Sequence, residues 1–242
     1  MNFVKRLSTV LIKFCIFPIR VLLFGGMIIT HHKGEFFKIT FGDTTIAFNP
    51  ISKKSKLPQT KFGADIALVS LNNPDFNGIQ EVERKGKELF VINGPGEYEI
   101  KSVFVHGLPT PSAYPADGLG GENLINTIYA VNLEGMNLLF LGALKDKSVM
   151  DFKIIEDMDS VDILFIPIGN DRVLSPADAQ ALATTLEAKI IIPMHFDGIG
   201  ANDALKDFLK EAGQENTELL EKLVIKKRDL TEARGEVRVI VS

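Results

Sequence analysis

From Phe36 to Phe48 (FFKITFGDTTIAF) apolar and polar residues alternate on either side of Gly42-Asp43. This is the period-two pattern of a half-buried strand folded back at a two-residue turn, so it predicts a hairpin. Thr127 to Leu141 (TIYAVNLEGMNLLFL) repeats the pattern about Glu134-Gly135. Each predicted hairpin runs into a short continuous apolar stretch with an acid at its start, Ala64-Asp65-Ile66-Ala67-Leu68-Val69 and then Val161-Asp162-Ile163-Leu164-Phe165-Ile166. A polar loop, a helix and another apolar stretch follow each time. The helices are predicted over Ile79 to Lys85 and Pro176 to Glu187, and the apolar stretches are Leu89 to Ile92 and Ile190 to Ile192. Ser175 suits the cap of the later helix and Pro176 its first turn, with Ala179, Leu182, Ala183 and Leu186 on one face.

The same elements therefore occur twice in the same order. Continuous apolar runs mark strands covered on both faces, and alternating runs mark strands with one wetter face. Two such halves packed sheet to sheet, helices outside, predict an α/β fold: a four-layer α/β/β/α sandwich of two pseudo-repeated halves. The carboxyl ends of the buried strands converge on one edge in that arrangement, bringing Ser70 to Gly78, Asn93 to Glu99, Gly169 to Arg172 and Pro193 to Asp197 together. Helices over Ala204 to Ala212 and Glu218 to Leu223 and a strand over Val237 to Val241 complete a domain of residues 27–242.

Residues 1–26 (MNFVKRLSTVLIKFCIFPIRVLLFGG) differ in character. Lys5, Arg6, Lys13 and Arg20 stand among apolar residues, and no acid occurs before Glu35. Arg6, Lys13 and Arg20 are seven residues apart, two helical turns, which resembles a basic interfacial helix as far as Pro18. Lys13 and Arg20 cut the apolar runs too short for a spanning helix or a secretory signal. The segment is expected either to touch membrane peripherally or to form an extension ahead of a domain opening at Met27. A cytoplasmic protein, membrane-associated through this segment, is the corresponding expectation.

The whole chain has 242 residues, 27 Lys+Arg against 31 Asp+Glu and a formal net charge of -4. That balance supplies no basic field for nucleic acid. Cys15 is the single cysteine, so no intrachain disulfide and no thiolate cluster can form. A metal would have to be held by carboxylates and by His31, His32, His106 or His195.

The segments MIIT, FFKITFGDTTIAFNP, ADIALVSLNNPDFN, GPGEYEI, INTIYAVNLEGMNLLFLGA, VDILFIPIGN and IIIPMHF stand in an order and spacing that resembles the metallo-β-lactamase-fold hydrolases. Among these the chain is most similar to the small bacterial group of ascorbate-phosphate-lactonase-like proteins, over Met27 to about Gly198. The resemblance implies a zinc centre and hydrolysis by a metal-activated water. Its ligand signature THxHxDH lies over Ser70-Leu71-Asn72-Asn73-Pro74-Asp75-Phe76, which puts Leu71, Asn73 and Phe76 where histidines belong and keeps Asp75. The middle histidine belongs near Ser112, where none occurs, the bridging aspartate corresponds to Ala143, and the last ligand is His195. A catalytic zinc needs three protein ligands and an open position, and hydrocarbon offers no donor.

The resemblance and these substitutions together imply a hydrolase-like protein that has lost its zinc centre and acts as a non-catalytic binding or structural protein. Asp75 and His195 would be its vestigial site, its cofactor would be none, and its partner an unidentified small molecule or protein. The alternative is a phosphoester or lactone hydrolase with a reduced zinc site of Asp75, His195 and His106, the last lying six residues before Ser112. A third reading makes Asp75 and His195 a metal-free acid/base pair. Asn73 to Gly78 resembles the start of a calcium loop, but Arg84 stands at the twelfth position, where a glutamate is needed. Its asparagines read better as turn chemistry. Ser70 and Ser112 lack a nucleophile-elbow context, the Gly94 to Glu99 run reads as a turn into a strand, and Gly118 to Gly121 with Tyr114 reads as a flexible loop over the site mouth. His31 and His32 are expected at the surface, with at most one facing inward.

Overall fold

A computed structural model describes residues 25–115, 123–150 and 158–242. Strands β1 (Met27–His31), β2 (Phe37–Phe41), β3 (Thr44–Phe48), β4 (Ile66–Leu68) and β5 (Phe90–Ile92) come first in the chain. They are followed by β6 (Gly96–Ile100), β7 (Val103–Pro115), β8 (Asn123–Leu133), β9 (Met136–Phe140), β10 (Ile163–Pro167) and β11 (Ile190–Met194). Four short strands close the fold: β12 (Leu219–Leu220), β13 (Leu223–Ile225), β14 (Glu236–Val237) and β15 (Val239–Ile240). One sheet has the order β13-β1-β2-β3-β4-β5, the other β14-β11-β10-β9-β8-β7-β6, and β12 pairs with β15 apart from both.

The repeat in the sequence is a repeat in topology. In both sheets an antiparallel hairpin (β2–β3, β8–β9) is extended by two parallel strands (β4–β5, β10–β11). The hairpins turn where the pattern changes: Gly42 has φ 55, and Glu134 and Gly135 have φ 52 and 72, two successive left-handed residues as a tight right-twisted hairpin requires. The acids leading the parallel strands act alike. Asp65 accepts from the Thr45 backbone N–H at 3.0 Å, and Asp162 accepts from that of Asn137 at 2.9 Å. Lys87 and Lys101 pair with Asp65, and Lys189 with Asp162.

Inward residues of both sheets form one apolar layer, in which Phe48 stacks on Phe140 at 4.6 Å and Phe37 meets Phe165 edge-on at 4.9 Å. Helices α1 (Pro176–Thr185) and α2 (Ala204–Glu211) cover the outer face of the second sheet, where Leu182, Ala183 and Phe208 pack on Leu164 and Ile191. Ser175 caps α1 by accepting from the Asp178 N–H.

The other outer layer departs from the expectation. Ile79 to Lys85 is not a helix; only a 3-10 turn forms, at Ile79–Glu81. The chain between β3 and β4 already lays Ile51 and Leu57 on that face, and Ala64 N–H bonds the Val82 carbonyl, which draws the segment flat against the sheet. Glu218 to Leu223 is not helical either. Leu219–Leu220 pairs with β15 and Leu223–Ile225 with β1, because alternating burial of Leu223 and Ile225 suits a strand on the shared core. The expected terminal strand is divided into β14 and β15, which join different sheets. His31 is buried rather than exposed, its ring stacked on Phe37 at 4.6 Å, and His32 is half-buried against Phe36 and Phe62. The readings of residues 1–24 and of Gly118 to Gly121 lie outside the described residues.

Candidate functional site

The strand ends meet at one edge, and His195 stands there, immediately after β11. Its φ of 63 is unusual for a residue with a side chain. The conformation is held from several sides. His195 N–H donates to the Gly34 carbonyl at 2.9 Å, and the backbones of Gly169 and Gly200 press against it so closely that a Cβ at either would lie 2.5 Å from His195 Cδ2 or 2.3 Å from its carbonyl oxygen. Such over-determined strain is characteristic of functional positions.

The imidazole is held at both nitrogens. Nδ1 lies 2.7 Å from Glu35 Oε1, and Nε2 lies 3.2 Å from the Tyr114 hydroxyl. In the neutral tautomer that donates its Nδ1 hydrogen to Glu35, Nε2 is left to accept from the phenol. Burial, and then the charges of Glu35 and Asp75, push the Tyr114 phenol far above its ordinary range, so it keeps its proton and donates. Asn49 completes the network. Its Nδ2 donates to Glu35 Oε2 and to Ser70 Oγ, each at 2.8 Å, and its Oδ1 accepts from the Ser70 N–H at 2.8 Å. Glu35 and Asn49 are wholly buried and His195 is 2% exposed.

Hydrocarbon fills the rest of this edge. Leu71, Phe76, Tyr114, Ala143 and Val173 form one buried cluster. Phe76 stands edge-on to Tyr114 at 5.4 Å and lies roughly parallel to the His195 ring at 6.2 Å. The Arg172 guanidinium covers the outer side of the Tyr114 ring at 5.2 Å. Asn126 fixes the floor, taking the Ala143 N–H on Oδ1 and donating to the Leu141 carbonyl and Thr110 Oγ1.

The two residues expected as a pair are not joined. Asp75 is half-buried in the Ser70–Gly78 loop and takes a 2.5 Å hydrogen bond from Ser55 Oγ, while the carboxylate partner of His195 is Glu35. His106 lies elsewhere. Alternation along β7 turns Val103 and Val105 inward and His106 outward, into an open cleft of about 670 Å³ beside Glu97, Phe104 and Asn132. The Asn73 to Gly78 loop closes on itself, with Asn73 accepting from the Asp75 N–H and Asn77 donating to Asn72.

This donor set does not fit the zinc centre that the resemblance implies. Leu71, Phe76 and Ala143 present no lone pair, both nitrogens of His195 are engaged, and no group of three His, Cys, Asp or Glu side chains that could hold an ion occurs among the described residues. Chemically the arrangement is a closed carboxylate–imidazole–phenol relay. Glu35 and Asn49 belong to no ligand motif in the sequence, and Tyr114, expected in a loop over the site mouth, is instead buried within β7. Glu35 is the first acid of the chain and sits within Gly-Glu-Phe-Phe, where an isolated carboxylate among apolar residues is the one local signal of a buried partner.

Residues 28–195 match the profile of a beta-lactamase superfamily domain. A UPF0173 metal-dependent hydrolase of Listeria innocua is 38% identical over 135 residues, an alignment covering 55% of this chain and 54% of that protein, so the match spans about half the relative's length. The UPF0173 metal-dependent hydrolase YtkL of Bacillus subtilis is 24% identical over 197 residues, covering 71% of this chain and 86% of the relative. In structure, a Thermotoga maritima protein of the metallo-beta-lactamase superfamily superposes with a TM-score of 0.66 at 25% identity, covering 88% of this chain and 98% of that one. With the two-sheet architecture, the position of His195 and the extent of these matches, the chain belongs to the beta-lactamase superfamily, in its metallo-β-lactamase fold.

Proposed function

We propose that this chain is a member of the superfamily that no longer performs metal-dependent hydrolysis and serves as a binding or structural protein. One observation carries the reading: where the fold would gather metal ligands, Leu71, Phe76, Ala143 and Val173 pack around a Tyr114–His195–Glu35 relay whose polar atoms bond one another. The surviving histidine keeps its place at the end of β11 and has exchanged a cation for a hydroxyl. Without a bound cation nothing lowers the pKa of a water toward neutrality, and the relay holds no activated nucleophile, since the phenol retains its proton. Ligands would then meet the surface. The cleft on the outer face of β6 to β9 and a smaller one beside Pro109, Leu124 and Lys145 are open concavities of the described residues, and neither is lined by His195.

The relatives are named metal-dependent hydrolases, so the test is direct. Purified protein incubated with excess zinc or manganese and then desalted is expected to retain well under one equivalent by elemental analysis. It is also expected to show no metal-stimulated cleavage of phosphodiester or lactone substrates. Stoichiometric zinc that disappears in His195→Ala would overturn the proposal in favour of a reduced metal site.

A further inference from the structure

The described chain begins at Gly25–Gly26, directly against an apolar, exposed corner of the first sheet. A Cβ at Gly26 would lie 2.9 Å from Val224 Cγ1. Val224 on β13 and Ile28 on β1 are cross-strand partners, and they are 51% and 40% exposed, among the most exposed large apolar side chains of the described residues. Cross-strand register extends this row to Thr40 on β2. Lys222 and Lys226 flank β13 on either side, each two residues from Val224, and on β2 Lys38 pairs with Thr30 of β1 on the same face as Ile28 and Thr40. Lys222 is exposed, while Lys226 and Lys38 are half-buried, Lys38 lying over the Phe62 ring at 4.9 Å. Two acids flank the strand. Glu221 precedes Lys222 and is exposed, and Asp229 is engaged by the Lys226 N–H and by Arg228. The face is thus an apolar row bordered by cations, and residues 1–24, covalently continuous with it, carry Lys5, Arg6, Lys13 and Arg20 and no acid.

We propose that the β13–β1–β2 face is a docking surface for an anionic lipid bilayer. Ile28 and Val224 enter the interfacial region, and Lys222, Lys226 and Lys38 meet the headgroups. Neither signal suffices alone: two aliphatic side chains bury little area, and each surface cation contributes roughly five-fold in affinity. Joined to the basic, apolar residues that precede Gly25, they supply the combined apolar and electrostatic attraction that interfacial binding requires.

The test uses the full chain and vesicles of phosphatidylcholine with or without 30% phosphatidylglycerol (roughly physiological anionic content). Sedimentation is expected to recover protein with the anionic vesicles only, less so as salt rises. The double substitution Lys222→Glu/Lys226→Glu is expected to weaken binding at least ten-fold, with unchanged thermal unfolding. The chain has no tryptophan, so Val224→Trp gives a single reporter at the centre of the face. Its emission is expected to shift to the blue on anionic vesicles and to be quenched by brominated lipid. The proposal is overturned by failure to bind anionic vesicles, by equal binding to both vesicle types, by binding that the lysine substitutions leave unchanged, or by a blue shift that follows protein concentration without lipid, which would mean that a second copy covers the face.

Discussion

At the scale of single residues, Glu35 decides the character of the site. Its carboxylate is wholly enclosed, yet both oxygens are engaged, one by His195 and one by Asn49. Removing one member of a buried charged network leaves its partners desolvated and unpaired, a larger loss than the interaction's own net worth. Glu35→Ala is therefore expected to cost about 3–5 kcal/mol in urea unfolding, and Glu35→Gln, which keeps an acceptor, clearly less. Tyr114→Phe deletes only the donor to His195 Nε2 and is expected to cost about 1–3 kcal/mol. The ordering Glu35→Ala, then Tyr114→Phe, with neither change altering metal content, distinguishes a structural relay from a cation site. Little of this was legible in the sequence. His195 could be recognised, being tied to a motif at a strand end, but its partners lie 160 and 81 residues away, and no local pattern encodes such pairing. Asp75 sits inside the motif, and the structure gives it a serine partner instead.

At the scale of elements, the sequence was most informative where periodicity is strong. Both hairpins, the parallel strands that extend them and helix α1 formed where alternation, turn residues and capping predicted them. It misled where a short amphipathic stretch had two outlets. Ile79 to Lys85 and Glu218 to Leu223 can each present a helical face, but an outer layer already filled by Ile51 and Leu57, and free strand edges at β1 and β15, won over local propensity. The acids that open the parallel strands were visible as a repeat and have a common task. Asp162 accepts from the Asn137 N–H and pairs with Lys189 at 2.6 Å, which ties the starts of β9, β10 and β11 together. Asp162→Ala should cost about 1–3 kcal/mol and raise amide exchange selectively at the amino ends of those strands.

For the whole molecule, acid is the informative stress. Burial holds His31 below its ordinary value, and burial, then His31 and Lys38, hold His32 down to about 4 from 6.5. Below pH 6.5 the unfolded chain therefore binds more protons than the folded one, so stability falls on acidification through the window from 6.5 to about 4. Each histidine that stays neutral contributes a slope of at most about 1.4 kcal/mol per pH unit. A second decline is expected from 3.8 to about 2. There burial would raise the Asp65 pKa, but Lys101 and Lys87 hold it down to about 2, and that pairing is lost on protonation. Urea midpoints measured from pH 7 to pH 3 check the first window, and His32→Gln should flatten part of it.

The hydrocarbon plug around Tyr114 also bears on how this lineage could change. A single histidine or aspartate introduced at Leu71, Phe76 or Ala143 would strand a polar group in a dry interior. Each such lone exchange is then a step down in foldedness, and only several made at once would climb out.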